Sequence, residues 1–549
     1  MATDTAPGTE LLIYDENNES HKNLQTTGKD DIRIILVPQP SLTDPNDPLR
    51  WPLWKKWVVF SHGLAYSFFG SIVGPIMSGG MVQQAAFYSI PITKLSWAAG
   101  IYLLMSGVST MFFMPLSVKY GRRPALLAST VALGFGCIWC GVASKTTFVS
   151  FFLARAFAGL FAGPVEALLP STVTDIFFLH DRGEKIAIYG LTLLGGYEIG
   201  PVLSAFIIQD IGLNWAFYIV AFALFANFIA IIFFMPETAY HSHRPNINTA
   251  AIDHSTPMDK GREAGFSPST QPEKMEKGSE LIAGSSDTET GAAETMPKPF
   301  SETLKFWSRD AINPKIRLKA AFLRPLVLLG YPTVLWACLV FGMALTWNIV
   351  LSLTVAQLFA PPPYAFSSSA QGLVFLSPFV GSLAGTYICG PLADRIALYY
   401  TRRNNGIREP EMGLPIAAVA AILTIVGVCI AAPCYHYQTH WIGPIVGFGV
   451  LSIGSQMGCN LSMSYALECH PELSGELMIT ISVVKSVLAW AWTWFINDWI
   501  VLNGMMMVYF LVALINTVVY ATTILFYYKG KACRIWIQKK NLFGRTGLA

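Results

Sequence analysis

The sequence predicts an all-α integral membrane protein whose twelve transmembrane helices form two six-helix bundles. Of its 549 residues, 53% are hydrophobic and 13% are charged, and the mean hydropathy is +0.46. A soluble protein of this length could not bury so much apolar surface. Twelve apolar runs have about the 20 residues that a helix needs to cross about 30 Å of hydrocarbon. They cover approximately residues 57–79, 96–117, 124–143, 148–172, 185–208, 214–235, 326–357, 370–392, 413–433, 441–466, 476–497 and 504–528.

Two similar motifs, one in each half of the chain, indicate that a six-helix unit is used twice. Residues 114–123 (MPLSVKYGRR) close the second apolar run, and residues 390–395 (GPLADR) close the eighth. Both motifs therefore follow the second helix of their half and lie on the same side of the bilayer. A doubled six-helix bundle is the architecture of secondary transporters that bind substrate between their halves.

The apolar runs divide the chain into two bundles flanked by polar segments. We expect an N-terminal six-helix bundle at residues 51–236 and a C-terminal six-helix bundle at residues 323–530. The linker at residues 237–322 and the first 50 residues are polar, which predicts disorder. An amphipathic helix is expected near residues 300–322, and residues 531–549 form a tail that also looks disordered.

Lysine and arginine predict the orientation, because cytoplasmic loops carry an excess of both. One side has Lys119, Arg122, Arg123, Arg182, Lys185, Arg395, Arg402, Arg403, Arg408, Lys529, Lys531, Arg534, Lys539 and Lys540. The loops of the opposite side have Lys94 and Lys145. We therefore expect the linker, the tail and both termini to be cytoplasmic.

Five local patterns resemble those of the major facilitator superfamily. They are residues 44–52 (DPNDPLRWP), the first basic motif, residues 155–163 (RAFAGLFAG), residues 196–205 (GYEIGPVLSA) and residues 235–238 (MPET). Their order along residues 44–530 resembles that of fungal members related to the twelve-span drug:proton antiporters. The resemblance implies the major facilitator fold, a plasma-membrane location and proton-coupled efflux by alternating access.

The resemblance also assigns gating roles to motif residues, although the sequence departs from the family at several of them. Val118 stands where the family has Asp, so the usual carboxylate latch is absent from the first basic motif, whereas the second motif keeps Asp394. Ser204 and Ala205 replace two glycines in the fifth span, and both are small enough for close helix contact. The gating candidates are Lys119, Gly121, Arg122, Arg123, Gly196, Gly200, Pro201, Gly390, Asp394 and Arg395.

Four charged side chains lie inside the apolar runs and away from their ends, namely Arg155, Glu166, Glu198 and Lys485. A charge at the bilayer centre costs about 2.5 to 3.5 kcal/mol on insertion scales, so each of them needs a partner or a water-filled cavity. Similar depths predict an ion pair between Arg155 and Glu198, whereas Lys485 is expected either to pair with Glu468 or to face the cavity. Both structural ion pairs and proton-coupling groups fit this pattern, so the four residues are candidates for proton coupling.

Polar and aromatic side chains within the runs are candidates for a substrate-facing wall. We single out Tyr66, Trp347, Asn348, Gln456 and Asn460. They lie on the first, seventh and tenth spans, which the resemblance assigns to the central cavity. Packing between helices is the alternative role for each of them.

These patterns predict a secondary active transporter of a small organic solute and not an enzyme. The sequence shows no Ser-His-Asp pattern, no metal-spaced histidine set and no Walker sequence, so we expect no cofactor and no metal. The net charge of +3 gives no indication of nucleic-acid binding. The expected partners are the solute, protons and the lipid bilayer, and we expect a functional monomer.

Proton-coupled efflux of a drug or a secondary metabolite is the function that the resemblance favours. Proton-driven uptake of an organic cation such as a polyamine is an alternative within the same fold, because carboxylates in a cavity suit either direction. A non-transporting nutrient sensor is an alternative from another class.

Overall fold

The structure is a computed structural model that describes residues 10–11, 26–27, 34–35, 38, 40–41, 44–240, 305–307, 312–314, 316–404 and 407–540. Most of the N-terminal segment and of the linker that we expected to be disordered therefore lies outside the described residues, as do residues 541–549 of the tail. The described chain is almost entirely helical. Its strands are two short antiparallel pairings, Glu10–Leu11 with Ile407–Arg408 and Thr26–Thr27 with Ile34–Ile35.

Twelve long helices, α1 to α12, correspond in order to the twelve apolar runs. They are α1 Leu53–Ile72, α2 Ile92–Tyr120, α3 Arg122–Ala143, α4 Phe148–Ile176, α5 Leu179–Asp210, α6 Leu213–Phe234, α7 Pro332–Phe359, α8 Leu376–Arg403, α9 Ile416–His436, α10 Ile442–Cys469, α11 Ser474–Thr493 and α12 Ile496–Lys540. Shorter helices include Met81–Tyr88 after α1, Leu318–Leu328 before α7 and Ser368–Leu373 before α8.

Within the described residues, eleven helices are long and apolar enough to cross a membrane, so the count of twelve is not reproduced in full. The exception is α1, because its first turn contains Lys55 and Lys56 and its middle contains His62. The Lys56 ammonium donates a hydrogen bond to the carbonyl oxygen of Leu49 at 2.9 Å. Despite its charges, α1 packs against α4, α5 and α6 within the first half.

The packing of the first half repeats in the second half with an offset of six helices. In the first half, α1 packs on α5, α2 on α4, and α3 on α4 and α6. In the second half, α7 packs on α11, α8 on α10, and α9 on α10 and α12. Between the halves, α2 packs on α11 and α5 packs on α8. The doubled six-helix architecture indicated by the repeated motif is therefore confirmed.

Glycine allows equivalent helix pairs to touch in both halves. A Cβ atom on Gly163 of α4 would lie 2.4 Å from the backbone nitrogen of Thr110 in α2. A Cβ atom on Gly381 of α8 would lie 2.1 Å from the carbonyl oxygen of Gly449 in α10. No side chain fits at such distances from a backbone, so these helix separations require glycine.

The two halves meet closely at the end of the bundle opposite the basic loops. There, Trp97 near the start of α2 stacks on Trp494 just past α11, with ring centroids 4.6 Å apart. At the same end, the backbone nitrogen of Ser369 donates a hydrogen bond to the side chain of Gln209 in α5 at 2.9 Å. Both contacts join the first half to the second, so the bundle is closed at this end.

On the basic-loop side, the end of the linker runs along the first half before α7 begins. The backbone nitrogen of Asn313 donates to the carbonyl oxygen of Lys119 at 2.8 Å. The helix Leu318–Leu328 then contacts α2 of the first half and α11 of the second half. Much of residues 300–322, where an amphipathic helix was expected, lies outside the described residues, so that helix stays a prediction.

Two helices extend beyond the runs predicted for them. Because α8 continues to Arg403, the second basic motif at residues 390–395 lies inside a helix and not in a loop. Because α12 continues to Lys540, the beginning of the predicted tail is helical. Near the start of α12, Gly504 has φ 78° and ψ 154°, a conformation that favours glycine and interrupts the helix.

Candidate functional site

An ion pair between Glu166 of α4 and Lys485 of α11 joins the two halves. The Glu166 side chain is 13% exposed and the Lys485 side chain is 14% exposed. At 1.5 Å per residue, Glu166 lies about 15 Å and Lys485 about 16 Å from the basic-loop ends of their helices. Their depths therefore match, near the middle of a hydrocarbon layer about 30 Å thick.

Two tyrosines of α5 contact Glu166 from within the first half. The Tyr197 hydroxyl donates a hydrogen bond to the Glu166 carboxylate. The Tyr189 hydroxyl donates to the Glu166 carbonyl oxygen at 2.6 Å. Within the described residues, the Lys485 ammonium has no hydrogen-bond partner other than Glu166. The carboxylate is therefore fixed by its own half, whereas the ammonium is held by the carboxylate alone.

Arg155 of α4 is fully buried and binds the chain just past the end of α1. Its guanidinium donates hydrogen bonds to the carbonyl oxygens of Val73 at 2.6 Å, Gly74 at 2.8 Å and Ala98 at 3.3 Å. It also lies over the Tyr102 ring, 4.4 Å from the centroid. Carbonyls at the end of a helix lack an intrahelical partner. Arg155 satisfies two of these carbonyls and so fixes the break after α1.

Glu198 of α5 is buried, with 4% of its surface exposed. Within the part of the chain that the structure describes, it has no hydrogen-bond or ion-pair partner. A buried carboxylate without a partner is costly when it is charged, and binding a proton removes that cost. Because α5 packs on α8 of the other half, Glu198 lies on a helix of the inter-half interface.

The ion pairs expected from helix depth differ from those in the structure. Arg155 binds backbone carbonyls and does not contact Glu198. Lys485 pairs with Glu166 and does not contact Glu468. The expected pairs Arg155–Glu198 and Lys485–Glu468 were wrong because depth along a helix does not determine the direction in which a side chain faces. The alternative that Lys485 faces the cavity stays a prediction.

Two of the five cavity candidates, Tyr66 and Trp347, are fully buried in the packing of their own halves. The Tyr66 hydroxyl shares a hydrogen bond with the Ser129 hydroxyl at 2.9 Å. The Trp347 ring lies against Tyr509, with centroids 5.6 Å apart. These contacts are those of interhelical packing residues.

The other three cavity candidates are half-buried and polar. On α10, the Gln456 amide donates a hydrogen bond to the Asn460 side-chain oxygen at 3.3 Å. On α7, the side-chain oxygen of Asn348 is buried and has no hydrogen-bond partner among the described residues. Asn348, Gln456 and Asn460 therefore stay candidates for hydrogen bonding to a solute.

The first basic motif is held by contacts within the first half. Gly121, with φ 108° and ψ 158°, connects α2 to α3. The Arg122 guanidinium pairs with Asp175 at the end of α4 at 3.2 Å. The Glu237 carboxylate accepts hydrogen bonds from the backbone nitrogens of Arg122 at 2.9 Å and Arg123 at 3.2 Å. Glu237, three residues past the end of α6, thus caps the start of α3.

The gating candidates of α5 allow this helix to touch α1. A Cβ atom on Gly196 would lie 1.7 Å from the Ser71 hydroxyl oxygen, and one on Gly200 would lie 2.9 Å from Ile72. Pro201 lies inside α5 one residue later. Gly196 and Gly200 therefore allow close packing of α5 on α1 within the first half.

The second basic motif is positioned differently from the first. Gly390 and Arg395 are exposed on α8, and the side chain of Asp394 lies outside the described residues. Whether this motif latches the halves therefore stays a prediction.

Sequence reasoning missed the two tyrosines around Glu166. Tyr197 lies inside the motif at residues 196–205, immediately before Glu198. Its position next to a glutamate inside an apolar run was the available signal, but only the structure shows that Tyr197 of α5 contacts Glu166 of α4. The pairing of Glu166 with Lys485 likewise depends on how the two halves meet.

Comparisons with known proteins agree with this architecture. The profile of the Major Facilitator Superfamily matches residues 57–492. Protein HOL1 of Saccharomyces cerevisiae is 24% identical over 98% of this chain and 96% of its own length. The "Probable efflux pump mfs2" of Aspergillus flavus is 23% identical over 74% of this chain and 86% of its own length. The xylose transporter XylE from E. coli, solved in a partially occluded inward open conformation, shares the fold. The TM-score is 0.55 and the sequence identity is 9%, over 86% of this chain and 99% of the XylE chain.

Proposed function

The chain belongs to the Major Facilitator Superfamily, and on that premise we propose that it couples the export of a small organic solute to the movement of protons. It is a multi-pass membrane protein that transports a small solute, and it is not an enzyme. In the proposed cycle, the two halves rock so that a central site opens to one side of the membrane at a time. The basic loops and both termini face the cytoplasm, and the membrane is the plasma membrane.

The observation that carries the proton coupling is the buried carboxylate of Glu198, which has no hydrogen-bond or ion-pair partner within the described residues. In its present position the charged form is costly, because no cation or hydrogen-bond donor contacts the carboxylate among the described residues, and binding a proton removes that cost. When the cavity opens to water, hydration stabilises the charged carboxylate and the proton leaves. Glu198 would thus take a proton on one side and release it on the other.

The contacts between the halves support alternating access. Trp97 and Trp494 close the end of the bundle that is opposite the basic loops. The Glu166–Lys485 pair lies deeper along the same α2–α11 side of the interface. A cavity closed at that end would load or release solute from the side of the basic loops.

The export of a drug or a secondary metabolite is the direction that we propose, and the printed name of the Aspergillus flavus relative as an efflux pump supports it. Uptake of an organic cation is the second candidate. The carboxylates of Glu166, 13% exposed on α4, and of Glu198, buried on α5, lie in the first half and favour a cation in either direction.

The experiment is flux into proteoliposomes that contain the purified full-length protein. Tetraethylammonium, benzenesulfonate and cycloheximide serve as a cationic, an anionic and a neutral test solute under an imposed pH gradient. Export by antiport predicts that at least one solute moves in the direction opposite to the protons. Movement in the same direction as the protons would indicate uptake, and flux independent of the pH gradient for every transported solute would contradict proton coupling.

A further inference from the structure

We propose that the Lys485 ammonium occupies the position that a positively charged group of the solute takes during transport, so that the solute and Lys485 compete for Glu166. The proposal rests on the proposed function, because it names the substrate class of that central site as organic amines and ammonium ions. It also gives Lys485 a role in the cycle, as a tethered cation that holds the halves together when no solute is bound.

The two groups of the ion pair are held unequally. Glu166 is held by the Tyr197 hydroxyl at its carboxylate and by the Tyr189 hydroxyl at its carbonyl oxygen. Lys485 has no partner besides Glu166 within the described residues, and its flexible side chain can swing away. The carboxylate is therefore the fixed site, and the ammonium is the exchangeable group.

The charge of Glu166 remains without a cation when Lys485 leaves. Arg155, the other buried charge of α4, is bound by the carbonyl oxygens of Val73, Gly74 and Ala98 and cannot move to Glu166 without abandoning them. Glu166 would then be a buried carboxylate with one hydroxyl partner and no cation, which is an unfavourable state. A cationic solute removes this cost, whereas an anionic solute bound to Lys485 would leave it in place.

The ion pair also lies between the two halves. Glu166 belongs to the first half and Lys485 to the second, so their contact favours the arrangement of the halves seen here. A solute that takes the place of Lys485 breaks this direct link. Solute binding and the release of the halves are then one event, because both depend on the same carboxylate.

The test measures ligand binding by the full-length protein in detergent micelles. The probe is n-butylammonium, which reproduces the end of a lysine side chain, and butyrate is the control ligand of similar length and opposite charge. Thermal stability is recorded against ligand concentration. Lys485→Ala should bind n-butylammonium with an apparent Kd at least tenfold lower than that of the unmodified protein, because the internal competitor is gone.

Three further variants make the result specific. Glu166→Gln should lose the response to n-butylammonium. Lys485→Arg, which keeps the pair and can bind the carboxylate through two hydrogen bonds, should raise the apparent Kd and serves if Lys485→Ala does not fold. Lys531→Ala breaks a more exposed ion pair with Glu409 outside the site and should bind the probe as the unmodified protein does.

The proposal is overturned if Lys485→Ala and Glu166→Gln weaken the binding of n-butylammonium alike. It is also overturned if butyrate, and not n-butylammonium, stabilises Lys485→Ala. Binding in micelles involves no proton gradient, so failure of proton coupling in proteoliposomes would leave a positive binding result standing. Conversely, proton-coupled flux of an anionic or neutral solute alone would support the proposed function and contradict this inference.

Discussion

Lys485 of α11 and Glu166 of α4 form an ion pair that crosses from one half of the protein to the other at mid-membrane depth. The two residues are 319 positions apart in the sequence. Their contact therefore depends on the assembly of the complete bundle and not on local folding. Any motion that separates α4 from α11 must break this ion pair or replace one of its two groups by another.

Arg155 is expected to be a structural residue of the first half. Arg155→Lys keeps the charge, but a single ammonium cannot reach the carbonyl oxygens of Val73, Gly74 and Ala98 together. We expect the free energy of unfolding to fall by about 3 kcal/mol, since hydrogen bonds from a charged donor are lost. Thermal unfolding in detergent measures this change. Arg402→Lys, at an exposed position of α8, is the control and should unfold like the unmodified protein.

The close contact of α2 with α11 should be sensitive to side-chain size. A Cβ atom on Gly107 would lie 2.5 Å from the Cβ of Ser486, so Gly107→Val must push the two helices apart. We expect at least a tenfold loss of transport rate at normal protein abundance, because α2 of the first half can no longer pack closely on α11 of the second half. Gly190→Ala has nothing within 4 Å of the added Cβ and should transport normally. Equal rates in the two variants would show that this contact does not matter for transport.

His470, just past the end of α10, predicts a dependence of stability on pH. Burial, and then the positive charge of Arg534, lowers the pKa of His470 to about 4, whereas an unfolded histidine titrates near 6.5. The unfolded state therefore binds a proton first as the pH falls. The contribution of neutral His470 is complete above pH about 6.5 and is lost as the pH falls towards about 4, by at most about 3 kcal/mol.

Thermal unfolding between pH 7 and pH 4 checks this expectation. His470→Gln should unfold with a weaker dependence on pH than the unmodified protein, because it cannot take up the proton. His436→Gln, at an exposed position at the end of α9, should keep the full dependence. A steep loss of stability that persists in His470→Gln would assign the effect to other groups.

The basic-side end of α12 is predicted to be held by a buried ion pair. The Arg534 guanidinium donates two hydrogen bonds to the Glu411 carboxylate, at 2.9 Å and 2.7 Å, and both side chains are buried. Arg534→Ala should lower the free energy of unfolding by about 3 to 5 kcal/mol, because Glu411 is left buried and unpaired. Lys531→Ala, which breaks a more exposed pair one turn earlier, should change it by less than about 1 kcal/mol. Thermal unfolding of both variants separates the two cases.

The order of the helices was predictable because each span must bury its backbone hydrogen bonds within a run of apolar residues. The repeated motif at residues 114–123 and 390–395 indicated the doubled unit, and the contacts of both halves repeat accordingly. Among the described helices of the two bundles, α1 is the one that falls short of the apolar character of a membrane span. Lys55, Lys56 and His62 lower its apolar character, although the helix forms and packs with α4, α5 and α6.

The partners of the charged residues were not predictable in the same way. The sequence identified Arg155, Glu166, Glu198 and Lys485 as the charges that need an explanation, and depth alone suggested a pair between Arg155 and Glu198. The direction of each side chain depends on the rotation of its helix about its own axis. A helix that is apolar on every side has no apolar face from which this rotation can be predicted. Lys485 could be matched to Glu166 only once α11 was placed beside the first half.

The most direct measurement of the central claim is proton movement driven by a solute gradient in proteoliposomes. A pH-sensitive dye is enclosed with the full-length protein, and a solute shown to respond to a pH gradient is added outside. The unmodified protein should change the internal pH. Glu198→Gln should exchange the solute without moving protons. The control Glu472→Gln, at an exposed position, should behave like the unmodified protein. Unaltered proton movement in Glu198→Gln would contradict the account.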